Sequence, residues 1–137
     1  MPKYSLVGYD GSDAARRAFA FAMELARACG GRVRGVSVLQ VVEGGDTCAL
    51  MMTDSSTQRL QEFKDELLAL DPDTARLVDV ELTHGSPGDV LLSQVDQHGI
   101  DHIVIGHSGR GTLARWLIGS VSDNVLEQAH VPVTVVR

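Results

Sequence analysis

Residues 106–122 read Gly-His-Ser-Gly-Arg-Gly-Thr-Leu-Ala-Arg-Trp-Leu-Ile-Gly-Ser-Val-Ser, a set of residue types suited to holding an anion. Gly106 and Gly109 carry no Cβ, so the backbone there can come close to a ligand. Gly119 closes the loop, and the amides of Ser120, Val121 and Ser122 then open a helix. Free N–H groups and the positive end of a helix dipole attract phosphate at such a place. Taken singly, each glycine is equally a turn residue and each serine equally a cap. Together, behind a strand with the apolar run Ile103-Val104-Ile105, they favour phosphate. On that reading Gly106→Val is expected to block the backbone approach and abolish binding.

Three sharper motifs fit less well. A P-loop needs a Gly-Lys pair, and the only lysines are Lys3 and Lys64. A dinucleotide fingerprint runs G-x-G-x-x-G after the first strand, whereas this loop runs G-x-x-G-x-G after the fourth. Gly106-His107-Ser108 begins like a nucleophile elbow, but Arg110 stands where that sharp turn needs a small residue. The acid–histidine pair that follows, Asp123 and His130, sits seven residues apart on one short segment and cannot form the relay. His98 and His102 have the spacing of a metal pair on a helix, but Gly99 breaks the helix between them. No acid–base pair is positioned to activate water, so any hydrolysis is expected to be slow.

The surrounding pattern alternates short β-branched runs with helical stretches, the mark of an α/β domain. A first strand over 4–9 leads to Asp10-Gly11-Ser12, where Ser12 or Asp13 caps a helix. Ala15, Ala18, Phe19, Ala22, Leu25, Ala26 and Cys29 give that helix one apolar face, and Gly30-Gly31 ends it. A second strand spans 33–42. Residues 43–57 show no period and are expected to form a long loop. Leu60, Phe63, Leu67 and Leu70 mark the next helix, stopped by Asp71-Pro72-Asp73. Val78, Val80 and Leu82 alternate as a half-exposed edge strand. Ser86-Pro87 opens a helix that Gly99 closes. A buried strand over 101–106, a helix over 120–129 and a last strand over 132–137 complete the chain. Five strands and four helices suggest a doubly wound parallel sheet, with ligands beyond the carboxyl ends of the strands where their order reverses.

Composition sets the outer limits. The 137 residues, 44% apolar and 22% charged, suit one domain, 1–137, with a core of its own. A net charge of −6 argues against a nucleic-acid-coating surface. No apolar run approaches the ~20 residues of a membrane helix. Two cysteines, Cys29 and Cys48, build no disulfide scaffold, and the N-terminus has no signal-like pattern, so a cytoplasmic setting is expected.

The spacing Gly106-x2-Gly109-x9-Gly119-Ser120 resembles the nucleotide-binding signature of the universal stress protein family. The similarity extends through Val7-Gly8-Tyr9-Asp10-Gly11-Ser12, His84-Gly85-x-Pro87, 101–106 and the ending Pro132-Val133-Thr134-Val135-Val136. The resemblance implies a flavodoxin-like sheet of order 3-2-1-4-5, ATP binding, and a regulatory role in stress response through an unidentified downstream protein. A homodimer through the last strand, Val133–Val136, is implied as well. By the same resemblance Asp10 contacts the ribose, Gly8 and Tyr9 wall the adenosine pocket, and Val38 reads the adenine edge. Ile105, Gly106 and His107 line the ribose and α-phosphate. Gly109, Gly119, Ser120, Val121 and Ser122 hold the phosphates, with Mg²⁺ or Mn²⁺ bridging them. Asp10 is also read as a turn-capping aspartate, while Val38 reads first as a core residue and His107 first as an exposed loop histidine. Arg110 and Arg115 are phosphate neighbours or plain surface arginines. Tyr9 stands where the family often has a smaller residue or proline, which would tighten adenine packing. Alternatives to this function are a non-nucleotide interaction module of the same family and a true nucleotide hydrolase.

Overall fold

The computed structural model describes residues 2–39, 46–106, 125 and 128–137. Its elements run β1 (Tyr4–Gly8), α1 (Asp13–Cys29), β2 (Arg32–Leu39), α2 (Asp46–Leu70), α3 (Thr74–Leu77), β3 (Val78–His84), α4 (Pro87–His98), β4 (His102–Gly106) and β5 (Val133–Val136). The five strands form one parallel sheet in the order β3-β2-β1-β4-β5, the expected doubly wound arrangement.

Alternation along the strands sends side chains to two cores. On one face Val7, Tyr9, Val33 and Val104 meet the alanine-rich stripe of α1 with Phe19 and Met23, and Phe63 and Leu67 of α2. On the other, Leu6, Val36, Val38, Ile103 and Ile105 pack with Leu91 of α4, Ile100 and Val125. Val125 is the one buried position described in the helix expected over 120–129, most of which lies outside the described residues.

The local signals hold α1 in place. Ser12 caps its start, its hydroxyl oxygen accepting from the Ala15 N–H at 2.9 Å. Gly30 ends it at φ 68°, a left-handed turn that glycine adopts without a Cβ clash. At the far side of β1, the Asp101 carboxylate accepts from the Lys3 and Tyr4 amides at 2.8 and 3.0 Å, seating β1 beside β4.

Three local expectations change. Residues 46–57 are helical, the first half of α2, rather than loop; 43–45 lie outside the described residues. A helix of 25 residues is about 37 Å long at 1.5 Å per residue, longer than any strand beneath it. The missing apolar period at 46–57 did not mean a missing helix. The stripe is also shorter than expected: Phe63 and Leu67 are buried but Leu70, at the helix's last position, is 44% exposed. Cys29, at the end of α1, is partly exposed rather than in the core.

Close packing decides one glycine. A Cβ at Gly106 would lie 2.3 Å from the Ala14 carbonyl oxygen and 3.0 Å from the Ala14 Cβ. The start of α1 therefore rests directly on the end of β4. Gly106→Ala is expected to cost about 2–3 kcal/mol, at the upper end for overpacking, because backbone must move. Urea unfolding reads this, and an unchanged midpoint would contradict it.

The sheet also holds a buried histidine that the sequence pattern did not mark. His102, on β4, hydrogen-bonds through Nδ1 with Ser5 Oγ of β1 at 3.0 Å and through Nε2 with Thr134 Oγ1 of β5 at 2.7 Å. Burial holds its pKa below the ordinary histidine value, against the opposing pull of Asp101. The unfolded chain thus takes up the proton first, near pH ~6.5. Stability from this group is full above that pH and declines as pH falls toward the lower folded pKa. Comparing urea midpoints at about pH 7.5 and about pH 5.5, the wild type should lose more stability than His102→Gln. Equal losses would contradict the assignment.

Candidate functional site

The carboxyl ends of β2, β1 and β4 lie side by side, and the strand order reverses between β1 and β4. In such sheets that crevice is where ligands bind. Gly8, Asp10, Val38, Ile105 and Gly106 all fall at this end of the three strands. His107, Gly109, Gly119, Ser120, Val121 and Ser122, with Arg110 and Arg115, lie outside the described residues.

Asp10 sits in the turn between β1 and α1, and its two carboxylate oxygens have different surroundings. Oδ1 accepts from the Ser12 amide at 3.2 Å and from the Ser12 hydroxyl at 2.8 Å. That is the capping role open from the sequence. Oδ2 is buried and has no hydrogen-bond partner among the described residues. Burial raises the Asp10 pKa above the ordinary carboxylate value, and the Ser12 hydrogen bonds offset part of that rise. A buried, unpaired carboxylate oxygen is costly, and its natural complement is a donor brought in from outside.

The neighbouring residues divide between scaffold and lining. The Tyr9 amide donates to the Val36 carbonyl at 2.8 Å, prolonging the β1–β2 alignment past the end of β1. Its ring stacks on Phe63 at 5.5 Å and 24°, and meets Phe19 edge-on at 6.4 Å and 74°. The bulk of Tyr9 is thus absorbed by the core under α1 and α2. Val38 and Ile105 send their side chains into the opposite core, at 8% and 1% exposure. Only their backbone groups are left to meet a ligand, as the implied role of Val38 requires. Gly106 has a packing reason of its own in Ala14, so a valine there would displace α1 and would not report on a ligand.

A cavity of about 230 Å³ opens beside Asp10. Tyr9, Asp10, Gly11 and Ser37 form its floor at the strand ends, and Arg59, Glu62, Phe63 and Glu66 of α2 form its wall. The α2 residues are additions that the sequence reading missed. Their spacing of three and four residues places them on one helix face, a signal hidden because Phe63 in their midst reads simply as core. A larger hollow of about 520 Å³ lies at the β3 edge under Leu68, well away from the reversal of strand order. Among the described residues no cluster of three or more His, Cys, Asp or Glu side chains is arranged for a metal ion. Among them, too, no helix is long and apolar enough to cross a membrane.

Comparison with known proteins matches this geometry to a family. The model of the universal stress protein family matches residues 2–137. A universal stress protein of Thermus aquaticus is 32% identical over 139 residues, covering the whole of both chains. A universal stress protein structure solved in complex with cAMP is 26% identical, with a TM-score of 0.68, covering 99% of this chain and 97% of the other. A universal stress protein from Archaeoglobus fulgidus in complex with dAMP shares the fold at 24% identity and a TM-score of 0.66, covering 100% of this chain and 98% of that one. With the reversal of strand order, the Asp10 turn and the glycine spacing all in agreement, the chain belongs to the universal stress protein family.

Proposed function

We propose that this chain binds an adenine nucleotide at the carboxyl ends of β1, β2 and β4 and acts as a nucleotide-dependent regulator in stress response. The observation that carries the reading is Asp10 Oδ2, buried without a partner among the described residues at the point where strand order reverses. A ribose hydroxyl supplies the donor it lacks. The relative solved with cAMP supports the class of ligand. On this reading the ligand is ATP, its phosphates held by the loop from Gly106 to Ser122 with Mg²⁺ or Mn²⁺ between them. Hydrolysis is at most slow, since Asp10 recognises a hydroxyl and activates no water. The protein acts in the cytoplasm, through a downstream protein, as a homodimer joined along β5. Among the described residues that strand pairs with β4 alone and leaves Val135 36% exposed, an edge suited to a twin strand.

Nucleotide released on denaturing the purified protein, and calorimetric titration with ATP, ADP and AMP, test the reading. Asp10→Asn should weaken binding about 10- to 100-fold, the range for a hydrogen bond to a charged group. The same variant should match or exceed wild-type stability, because the desolvated charge is gone. Wild-type affinity in Asp10→Asn would remove Asp10 from the site. A monomeric mass at micromolar concentration would contradict the dimer.

A further inference from the structure

Among the described residues β3 pairs with β2 alone, so it is the second edge of the sheet. Its register runs unbroken from Val33 opposite Val78 to Leu39 opposite His84, an edge about 23 Å long at ~3.3 Å per residue. Edge strands are commonly blunted by lysine, proline or a bulge. β3, Val-Asp-Val-Glu-Leu-Thr-His, has none of these.

Each face of this edge opens into a hollow. On the α2 side the 520 Å³ hollow has Val78 and Val80 beneath it and Gln61, Lys64 and Leu68 along its wall, with Leu68 45% exposed. On the other side α4 packs over β1 and β2, where Leu91 meets Leu6 and Val36. A cleft of about 340 Å³ is left between α4 and β3, with Glu81 and Thr83 beneath and Asp89, Ser93 and Gln97 along the helix. Alternation makes the two faces different: Val78, Val80 and Leu82 on one, Asp79, Glu81 and Thr83 on the other.

The polar face is braced in place. Arg34, 9% exposed, donates through Nε to Gln94 Oε1 at 2.6 Å and pairs with Glu81, while Gln94 Nε2 donates to Glu81 Oε2 at 2.6 Å. Asp79 accepts from the Tyr4 hydroxyl and from Arg32, each at 2.8 Å. Both arginines stand one strand inward, on β2, so the carboxylates form the outer row. Exposed Asp89 adds a third carboxylate against the two arginines, which leaves this face acidic. A second copy pairing β3 with β3 would set like charges opposite one another, which is destabilising. The strand Val133–Val136 of a second copy carries no basic residue to set against them.

We propose that β3 is a docking edge for an extended segment of a partner protein in which apolar and basic residues alternate. The segment adds a strand to the sheet: its backbone pairs with β3, its apolar side chains enter the hollow beside Leu68, and its basic ones face Asp79, Glu81 and Asp89. This gives the downstream protein of the regulatory reading a chemistry. It uses no residue of the crevice at Asp10, so the two readings stand or fall separately.

Fluorescence anisotropy with a labelled peptide of alternating valine and lysine, matched to the seven residues of β3, tests this on the full chain. The controls are alternating valine and glutamate, and the same valines and lysines in two blocks. The alternating valine–lysine peptide should bind about 10-fold or more tightly than either control. Leu68→Gln, at an exposed position, should weaken it about 3- to 10-fold, half the worth of a buried leucine, with an unchanged urea midpoint. Amide exchange followed by NMR should slow on peptide addition at the alternate residues of Val78–His84 whose groups turn away from β2. Equal binding of the block peptide reduces the effect to charge attraction and overturns the proposal. Wild-type affinity in Leu68→Gln, unchanged exchange along β3, or no binding at millimolar peptide overturns it as well. Slow exchange at those amides before any peptide is added means that a second copy or the chain itself already covers the edge, and overturns it too. None of these outcomes touches nucleotide affinity, which Asp10→Asn reads.

Discussion

The contact between Ala14 and Gly106 sets the spacing on which the site depends. With no Cβ on Gly106, the first turn of α1 settles directly on the end of β4, its carbonyl where that Cβ would lie. The loop from β1 into α1 is then short and tightly held: the Tyr9 amide bonds to Val36, Asp10 braces Ser12, and Ser12 caps α1. Asp10 is left at the bottom of a crevice between two strand ends, partly shielded from water. Displacing α1 by even a methyl group would open that turn and wet the carboxylate.

The cost of this arrangement falls on the same residues that give it a use. Asp10 serves the fold with one oxygen and leaves the other unsatisfied. Tyr9 contributes its ring to the core, stacked on Phe63. A chain optimised only for stability would have asparagine or serine at position 10. A buried carboxylate oxygen without a partner among the described residues, at a reversal of strand order, is the kind of group that a ligand's donor would complete. The net charge of −6 makes the same point from outside, since an acidic chain can hold an anionic nucleotide only by local groups.

Signals carried by neighbouring residues could be read from the sequence. Ser12 and Gly30 bracket α1, Gly99 ends α4, and the alternation of Val78, Val80 and Leu82 marks an edge strand that is half-buried up to its exposed last residue, His84. Partners far apart in the chain could not be read. A glycine at 106 looks the same whether it faces a phosphate or an alanine more than ninety residues earlier. Arg34 is buried because its Nε donates to Gln94 Oε1 at 2.6 Å while its guanidinium pairs with Glu81, and nothing in β2 alone announces either partner. His102 likewise depends on hydroxyls from two other strands. Four-residue α3 is too short to show a period, and the first half of α2 shows none in its sequence. Within the site, Asp10 was identifiable by its turn, while the contribution of α2 emerged only when the helix was laid across the strand ends.

The central claim is that the unpaired oxygen of Asp10 waits for a ligand hydroxyl. A crystal structure of the protein grown with AMP tests it most directly. The account predicts a ribose hydroxyl within about 3 Å of Asp10 Oδ2, with Oδ1 still bonded to Ser12. Nucleotide bound elsewhere, or bound in the crevice with Oδ2 still unpartnered, would contradict it.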